Sequence, residues 1–221
     1  PGMAGGTKQE GIVEINREDP LQTLVNKIGA PATEAWKEAY ASAVKLMDAD
    51  VNALMEGIEK RGRPTVIVLV ADHGESLNDH GELLHGDAFF DGVINVPLVI
   101  SVPGMSPAST AIERVVSQTD ILPTILDLVG AVAPAGIDGK SLVPLMSGKD
   151  SSEERLVLSE GGVARQIGPE LPGAVITDSW VLLKQRRGCG SGQQRGPRVM
   201  DGTMQVCLYS KVGDPYQDNE V

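Results

Sequence analysis

Residues 65–75 read TVIVLVADHGE, an unbroken run of β-branched and aliphatic residues that stops at an aspartate, a histidine and a glycine. Such a run, without polar alternation, is the pattern of a strand buried on both faces in a parallel sheet covered by helices. Upstream, Trp36, Tyr40, Val44, Met47, Val51, Leu54 and Ile58 recur at steps of four and three. That spacing predicts an amphipathic helix with one buried stripe, capped by Thr33, running to about Arg61 and stopped by Gly62 and Pro64. Residues 1–30 lack a clear period and read as loop, with one short helical piece over Leu21 to Ile28. A helix followed directly by a strand is one unit of an α/β sheet.

Downstream, Val96-Pro-Leu-Val-Ile-Ser-Val102 is a second strand candidate, closed by the turn Pro103-Gly104. Asp120 to Val129 predicts a helix that tolerates Pro123 in its first turn and stops at Gly130. Beyond residue 150 the pattern changes to short strand candidates between Gly and Pro: Leu156 to Ser159, Ala174 to Thr177, Trp180 to Lys184 and Gln205 to Tyr209. The expected organisation is therefore an α/β portion over residues 1–150 and a small antiparallel subdomain over 151–221.

Composition narrows the partners. The formal net charge is −11, and the one basic cluster, Lys184, Arg186 and Arg187 with Arg195 and Arg198 nearby, has no interleaved aromatics. A nucleic-acid partner is not expected from such a surface. No apolar run approaches the roughly 20 residues of a membrane span. Cys189 and Cys207 allow a single disulfide, which leaves the redox compartment open.

All three histidines, His73, His80 and His85, fall within thirteen positions just after the first strand candidate, and each is followed by glycine. Asp72 and His73 lie at the carboxyl end of that strand, the edge where open α/β sheets bind ligands. A carboxylate beside an imidazole offers one oxygen and one nitrogen to a divalent ion, and Gly74 permits the sharp bend that would turn both toward it. Asp-His-Gly alone is also the pattern of a capped turn. Two donors are fewer than the four to six of a stable site, so His80, His85, Asp79 and Asp87 complete it or the remaining ligands lie elsewhere.

The segments Ala71-Asp-His-Gly-Glu-Ser-Leu-Asn-Asp-His-Gly81, His85-Gly-Asp-Ala-Phe-Phe-Asp91 and Val96-Pro-Leu-Val-Ile100 closely resemble the C-terminal half of the sulfatase family, within the alkaline phosphatase superfamily. Ser117-Gln-Thr-Asp-Ile-Leu-Pro-Thr-Ile-Leu-Asp-Leu-Val-Gly130, Asp138-Gly-Lys-Ser-Leu-Val-Pro-Leu145, Trp180-Val-Leu-Leu-Lys184 and the region from Leu208 to Pro215 follow in that family's order, so the likeness spans roughly residues 36–219. The resemblance implies part of a doubly wound alkaline-phosphatase-like sheet with helices on both faces, plus a small C-terminal antiparallel sheet. It implies Asp72 and His73 as ligands of the catalytic divalent ion, calcium in most sulfatases and manganese or zinc in related enzymes. It also implies a basic residue about a dozen positions on that contacts the transferred group. Family members often carry Lys there; His85 is the nearest match, as catalytic and substrate-binding residue, with His80 a further substrate-side candidate.

The resemblance equally implies parts that this sequence does not show. The family's other half carries two adjacent aspartates and a Cys-x-(Pro/Ala/Ser)-x-Arg segment whose cysteine becomes formylglycine, the nucleophile. Neither Cys189 nor Cys207 has that context, and no Asp-Asp pair occurs. The expected function is the C-terminal half of a metal-dependent hydrolase of small-molecule or carbohydrate sulfate esters, inactive alone. Its expected partner is a missing N-terminal half or a second subunit. Kinship places such enzymes in the periplasm, outside the cell or in lysosomes. The same metal edge serves phosphodiesterases, phosphonate monoester hydrolases and phosphoglycerol transferases, and a non-catalytic sulfatase-like module is the alternative outside enzymes.

Overall fold

A computed structural model describes residues 20–81, 83–85, 89–105, 110–149, 154–161, 172–185, 204–212 and 217. The chain divides into two compact units, residues 1–61 and 62–221.

Within the first unit, helix α1 runs unbroken over Pro20–Glu59. The two helical pieces expected from the sequence are therefore one, and Thr33 lies in the helix interior rather than at its cap. Leu21, Leu24, Val25 and Ile28 give the upstream piece an apolar face of its own, and Pro31 lies inside the continuous helix, where its ring removes one backbone donor. The stripe is not buried as expected: Trp36, Tyr40, Met47 and Leu54 are all exposed. Among the described residues this unit holds no second element to cover it.

In the second unit, strand β1 (Ile67–Val70) leads to a short hairpin, β2 (Ser76–Leu77) paired with β3 (Leu83–Leu84). Helix α2 (Asp91–Ile94) and strand β4 (Leu98–Ser101) follow. Strand β1 pairs antiparallel with β4, Ile67 opposite Ser101 and Val70 opposite Leu98. This corrects the expectation of a strand buried on both faces among parallel neighbours. Leu69, Val70 and Val99 are exposed, because β1 has a single partner strand among the described residues.

Helix α3 (Ile121–Leu128) matches its sequence signals closely, with Pro123 in the first turn and Gly130 at φ 71° beyond its end. A 3₁₀ turn over Gln118–Asp120 leads into it, and a short helix α4 (Val143–Met146) follows. The four C-terminal strand candidates all form: β5 (Val157–Glu160), β6 (Gly173–Ile176), β7 (Trp180–Gln185) and β8 (Gln205–Ser210) make one antiparallel meander. Alternation sets its buried face, with Val181, Leu183, Cys207 and Tyr209 fully inside. Phe89, Phe90 and Val93 complete that core, so the α2 segment beside the histidine loop is anchored on the small sheet. Architecture is mixed α/β with antiparallel sheets. Cys207 is disulfide-bonded, and Cys189 and Asp87 lie outside the described residues.

Candidate metal and substrate site

The end of β1 is held in place by polar clamps. Gln118 Nε2 donates to the carbonyl oxygens of both Ala71 (2.7 Å) and Asp72 (2.9 Å). The Gly74 N–H donates to the Val93 carbonyl at 2.7 Å. A Cβ at position 74 would run into the Gly92 carbonyl oxygen, so only glycine allows the bend that follows His73.

At this bend Asp72 Oδ1 accepts the His73 backbone N–H (3.0 Å). That hydrogen bond first, and then the nearby His73 charge, hold the Asp72 carboxyl below its ordinary value of 3.8. His73 Nδ1 lies 2.9 Å from the Gly74 carbonyl oxygen. Since a carbonyl only accepts, Nδ1 is the donor and Nε2 keeps the lone pair of the neutral ring, the tautomer suited to metal ligation. Asp72 Oδ2 stands 3.6 Å from that Nε2. An oxygen and a nitrogen at this separation can share one divalent ion, whose bonds run about 2.0–2.6 Å. The chemistry of the two donors fits the implied ion as part of a donor set: no group of three or more His, Cys, Asp or Glu clusters among the described residues.

The hairpin brings His85 back to the same place. Asn78, His80 and Leu84 adopt positive φ (77°, 53° and 67°), a conformation L-residues rarely take. These reversals fold the chain so that the His85 ring lies 4.0 Å, centroid to centroid, from that of His73. Both oxygens of Glu75 lie near His85 Nδ1, at 3.3 and 3.4 Å. His80 goes elsewhere. It is buried and stacked on Phe90, with centroids 3.7 Å apart and planes 9° apart. Asp79, exposed, caps the turn through Leu77 N (3.4 Å).

Asp72, His73 and His85 open into a cleft of about 1020 Å³ whose walls also carry Asp91, Arg114, Gln118 and Lys211; His80 is not on those walls. Burial pushes the Asp91 carboxyl up from 3.8, against the opposing pull of Lys211, the Gln217 hydrogen bond and His80. Arg114 Nε pairs with Asp178 at 3.2 Å.

Behind Gln118 sits a buried carboxylate. Asp120 accepts from Ser117 N (2.8 Å), Lys140 N (2.8 Å) and Arg155 (2.6 Å). Ser117 and Asp120 form a capping box, a pattern readable in Ser117-Gln-Thr-Asp120, although neither Gln118 nor Asp120 is assigned a role from sequence. No local signal marks Glu75, because its partner is ten residues away across a hairpin.

The family model "Sulfatase" matches residues 16–131. The chain is 30% identical over 127 residues to the Delta 4,5-hexuronate-2-O-sulfatase of Bacteroides thetaiotaomicron, covering 55% of this chain and 26% of that protein. It is 32% identical over 165 residues to the choline-sulfatase of Rhizobium meliloti, covering 68% and 31%. The chain thus spans about a quarter to a third of the length of these relatives. The crystal structure of phosphonate monoester hydrolase of Agrobacterium radiobacter superposes with a TM-score of 0.68 at 23% identity, over 86% of this chain and 38% of that one, a likeness of fold.

Proposed function

The chain belongs to the sulfatase family, and from that premise we propose that it is the C-terminal portion of a metal-dependent sulfuric ester hydrolase. The observation that carries this reading is the pairing of Asp72 and His73, 3.6 Å apart at the end of β1 and facing a cleft shared with His85. A divalent ion, calcium by kinship, would supply Lewis-acid polarisation of the ester oxygens. Asp72 and His73 would hold it, together with carboxylates from an upstream segment. His85, half exposed beside His73, would bind an oxygen of the transferring group or hand a proton to the leaving alcohol. His80, stacked on Phe90, would serve the site by fixing the hairpin on which His85 stands.

The nucleophile, expected as formylglycine, belongs to that upstream segment or to a partner chain, and a sulfated carbohydrate or small molecule is the substrate class. Domain assignment follows the same reading, with catalytic α/β portion to about residue 150 and the small sheet after it. No described helix is long and apolar enough to cross a membrane. The disulfide at Cys207 supports an oxidising, exported location.

The test compares sulfate-ester hydrolysis by the chain alone with hydrolysis by the chain joined to a family N-terminal portion bearing the nucleophile. Expected are no turnover alone, divalent-dependent turnover when complete, and losses of roughly 100-fold or more on Asp72→Ala, His73→Ala or His85→Ala. Full activity in the Asp72→Ala form of the complete enzyme overturns the reading. If that enzyme cleaves phosphonate or phosphate esters and leaves sulfate esters intact, the substrate class is overturned and the metal edge stands.

A further inference from the structure

We infer that Glu75 is a positioning residue that fixes the ring orientation and tautomer of His85. The inference rests on the substrate role proposed above for His85, and its structural half stands without that role.

Both carboxylate oxygens of Glu75 lie within 3.4 Å of His85 Nδ1. Glu75 is the sheltered member of the pair, with 17% of its side chain exposed against 48% for His85. A carboxylate accepts and cannot donate, so Nδ1 must carry the hydrogen. Nε2, on the far side of the ring, is then the nitrogen turned to the cleft: it accepts in the neutral ring, and a second proton taken up there makes it the donor that the proposed substrate role requires. His85 lines that cleft, whereas Glu75 is absent from its walls, as expected of a residue acting through another.

The backbone serves the same end. Leu84 closes the hairpin opposite Ser76 and sits at φ 67°, and the next residue is His85. Holding a leucine in the left-handed region costs free energy and persists only where surroundings over-determine it. The His73 ring, 4.0 Å away and tilted by 32°, covers one side of the His85 ring, and Glu75 sets its rotation. With only three histidines in the sequence, each ring can be followed separately.

The test is nitrogen NMR of ¹⁵N-histidine-labelled chain, at a pH where the rings are neutral. His85 should show the Nδ1–H tautomer, the minority form of free histidine. Glu75→Gln, which keeps an acceptor, should retain it. Glu75→Leu, of similar size, should move the Nδ1–H to Nε2–H ratio roughly tenfold toward Nε2–H, the scale of one charge-assisted hydrogen bond. A wild-type spectrum dominated by Nε2–H overturns the inference, and that measurement needs no variant to fold. So does an unchanged ratio in Glu75→Leu. Unaltered turnover in the His85→Ala complete enzyme would instead remove the substrate role of His85 and leave the pairing intact.

Discussion

Replacing Asp120 by alanine should remove a buried polar hub of the second unit. The carboxylate is 1% exposed and takes three donors: two backbone N–H groups at 2.8 Å and the Arg155 guanidinium at 2.6 Å. Hydrogen bonds to a charged group contribute about 1.5–3 kcal/mol each. Simple addition would overshoot, since Arg155 is partly exposed and can turn to water. Breaking a buried ion pair by removing one partner typically costs about 3–5 kcal/mol, and that range is the expectation for Asp120→Ala. Asp120→Asn keeps the shape but presents an amide N–H₂ to donors at one of its two positions, so it should recover less than half of the loss. Urea unfolding of the second unit, followed by the near-ultraviolet signal of Trp180 and Tyr209, provides the measurement. A double-mutant cycle with Arg155→Met isolates the ion pair. A loss below about 1 kcal/mol for Asp120→Ala would show that the donors find water freely, and the hub would then not be what fixes the turn carrying Gln118.

Gly74→Ala should destabilise the second unit by about 2–3 kcal/mol, because its Cβ meets the Gly92 carbonyl and the backbone must shift; a change under about 0.5 kcal/mol in the same assay would contradict the contact. Gln118→Leu frees the Ala71 and Asp72 carbonyls and should weaken divalent-ion binding by the complete enzyme about tenfold, read by calorimetry, with little change in fold. Asp91 has its folded pKa raised above 3.8, so the folded state holds the proton more tightly than the unfolded one. Its contribution is therefore neutral below 3.8 and turns unfavourable as pH rises from there through the folded pKa. Asp91→Asn keeps an acceptor for Gln217 and should flatten that downward slope; an unchanged pH–stability curve would argue against burial as the cause.

Much of this arrangement is legible in the residues because local pattern and tertiary role agree there. The C-terminal strands alternate with period two and form where expected, since one face packs on Phe89 and Phe90. Helix α3 has its proline and glycine at the positions where they do least harm. Asp72 and His73 follow an apolar run and lie just past the end of β1, where that run places them. The failures have physical reasons of two kinds. Burial read from the stripe of α1 and from Thr65–Ala71 presumes a covering layer, and composition says that a face is apolar without saying what lies on it. The roles of Glu75, Gln118 and Asp120 depend on contacts 10, 46 and 35 residues apart, and no periodicity reports those.

The exposed state of β1 bears on how the site keeps its shape. Among the described residues β1 has one neighbouring strand, and with Leu69 and Val70 open to solvent it contributes little apolar burial at the point where Asp72 and His73 emerge. Position there comes from directed bonds instead: Gln118 to two successive carbonyls, Gly74 to Val93, and the capping box whose Asp120 is tied to Arg155, just ahead of the small sheet. Val93 in turn packs with Phe90 against Tyr209, so both clamps lead back to the four-stranded sheet or its approach. Hydrophobic contact fixes a distance but tolerates rotation, whereas paired hydrogen bonds fix orientation, which two adjacent donors need to address one ion. Perturbing the distant sheet, for example with Tyr209→Ala, should therefore loosen the Asp72–His73 bend before it unfolds β1. Hydrogen exchange would show this as faster exchange at Gly74 N–H with β1–β4 protection retained; simultaneous loss of both would mean that the bend has no independent support.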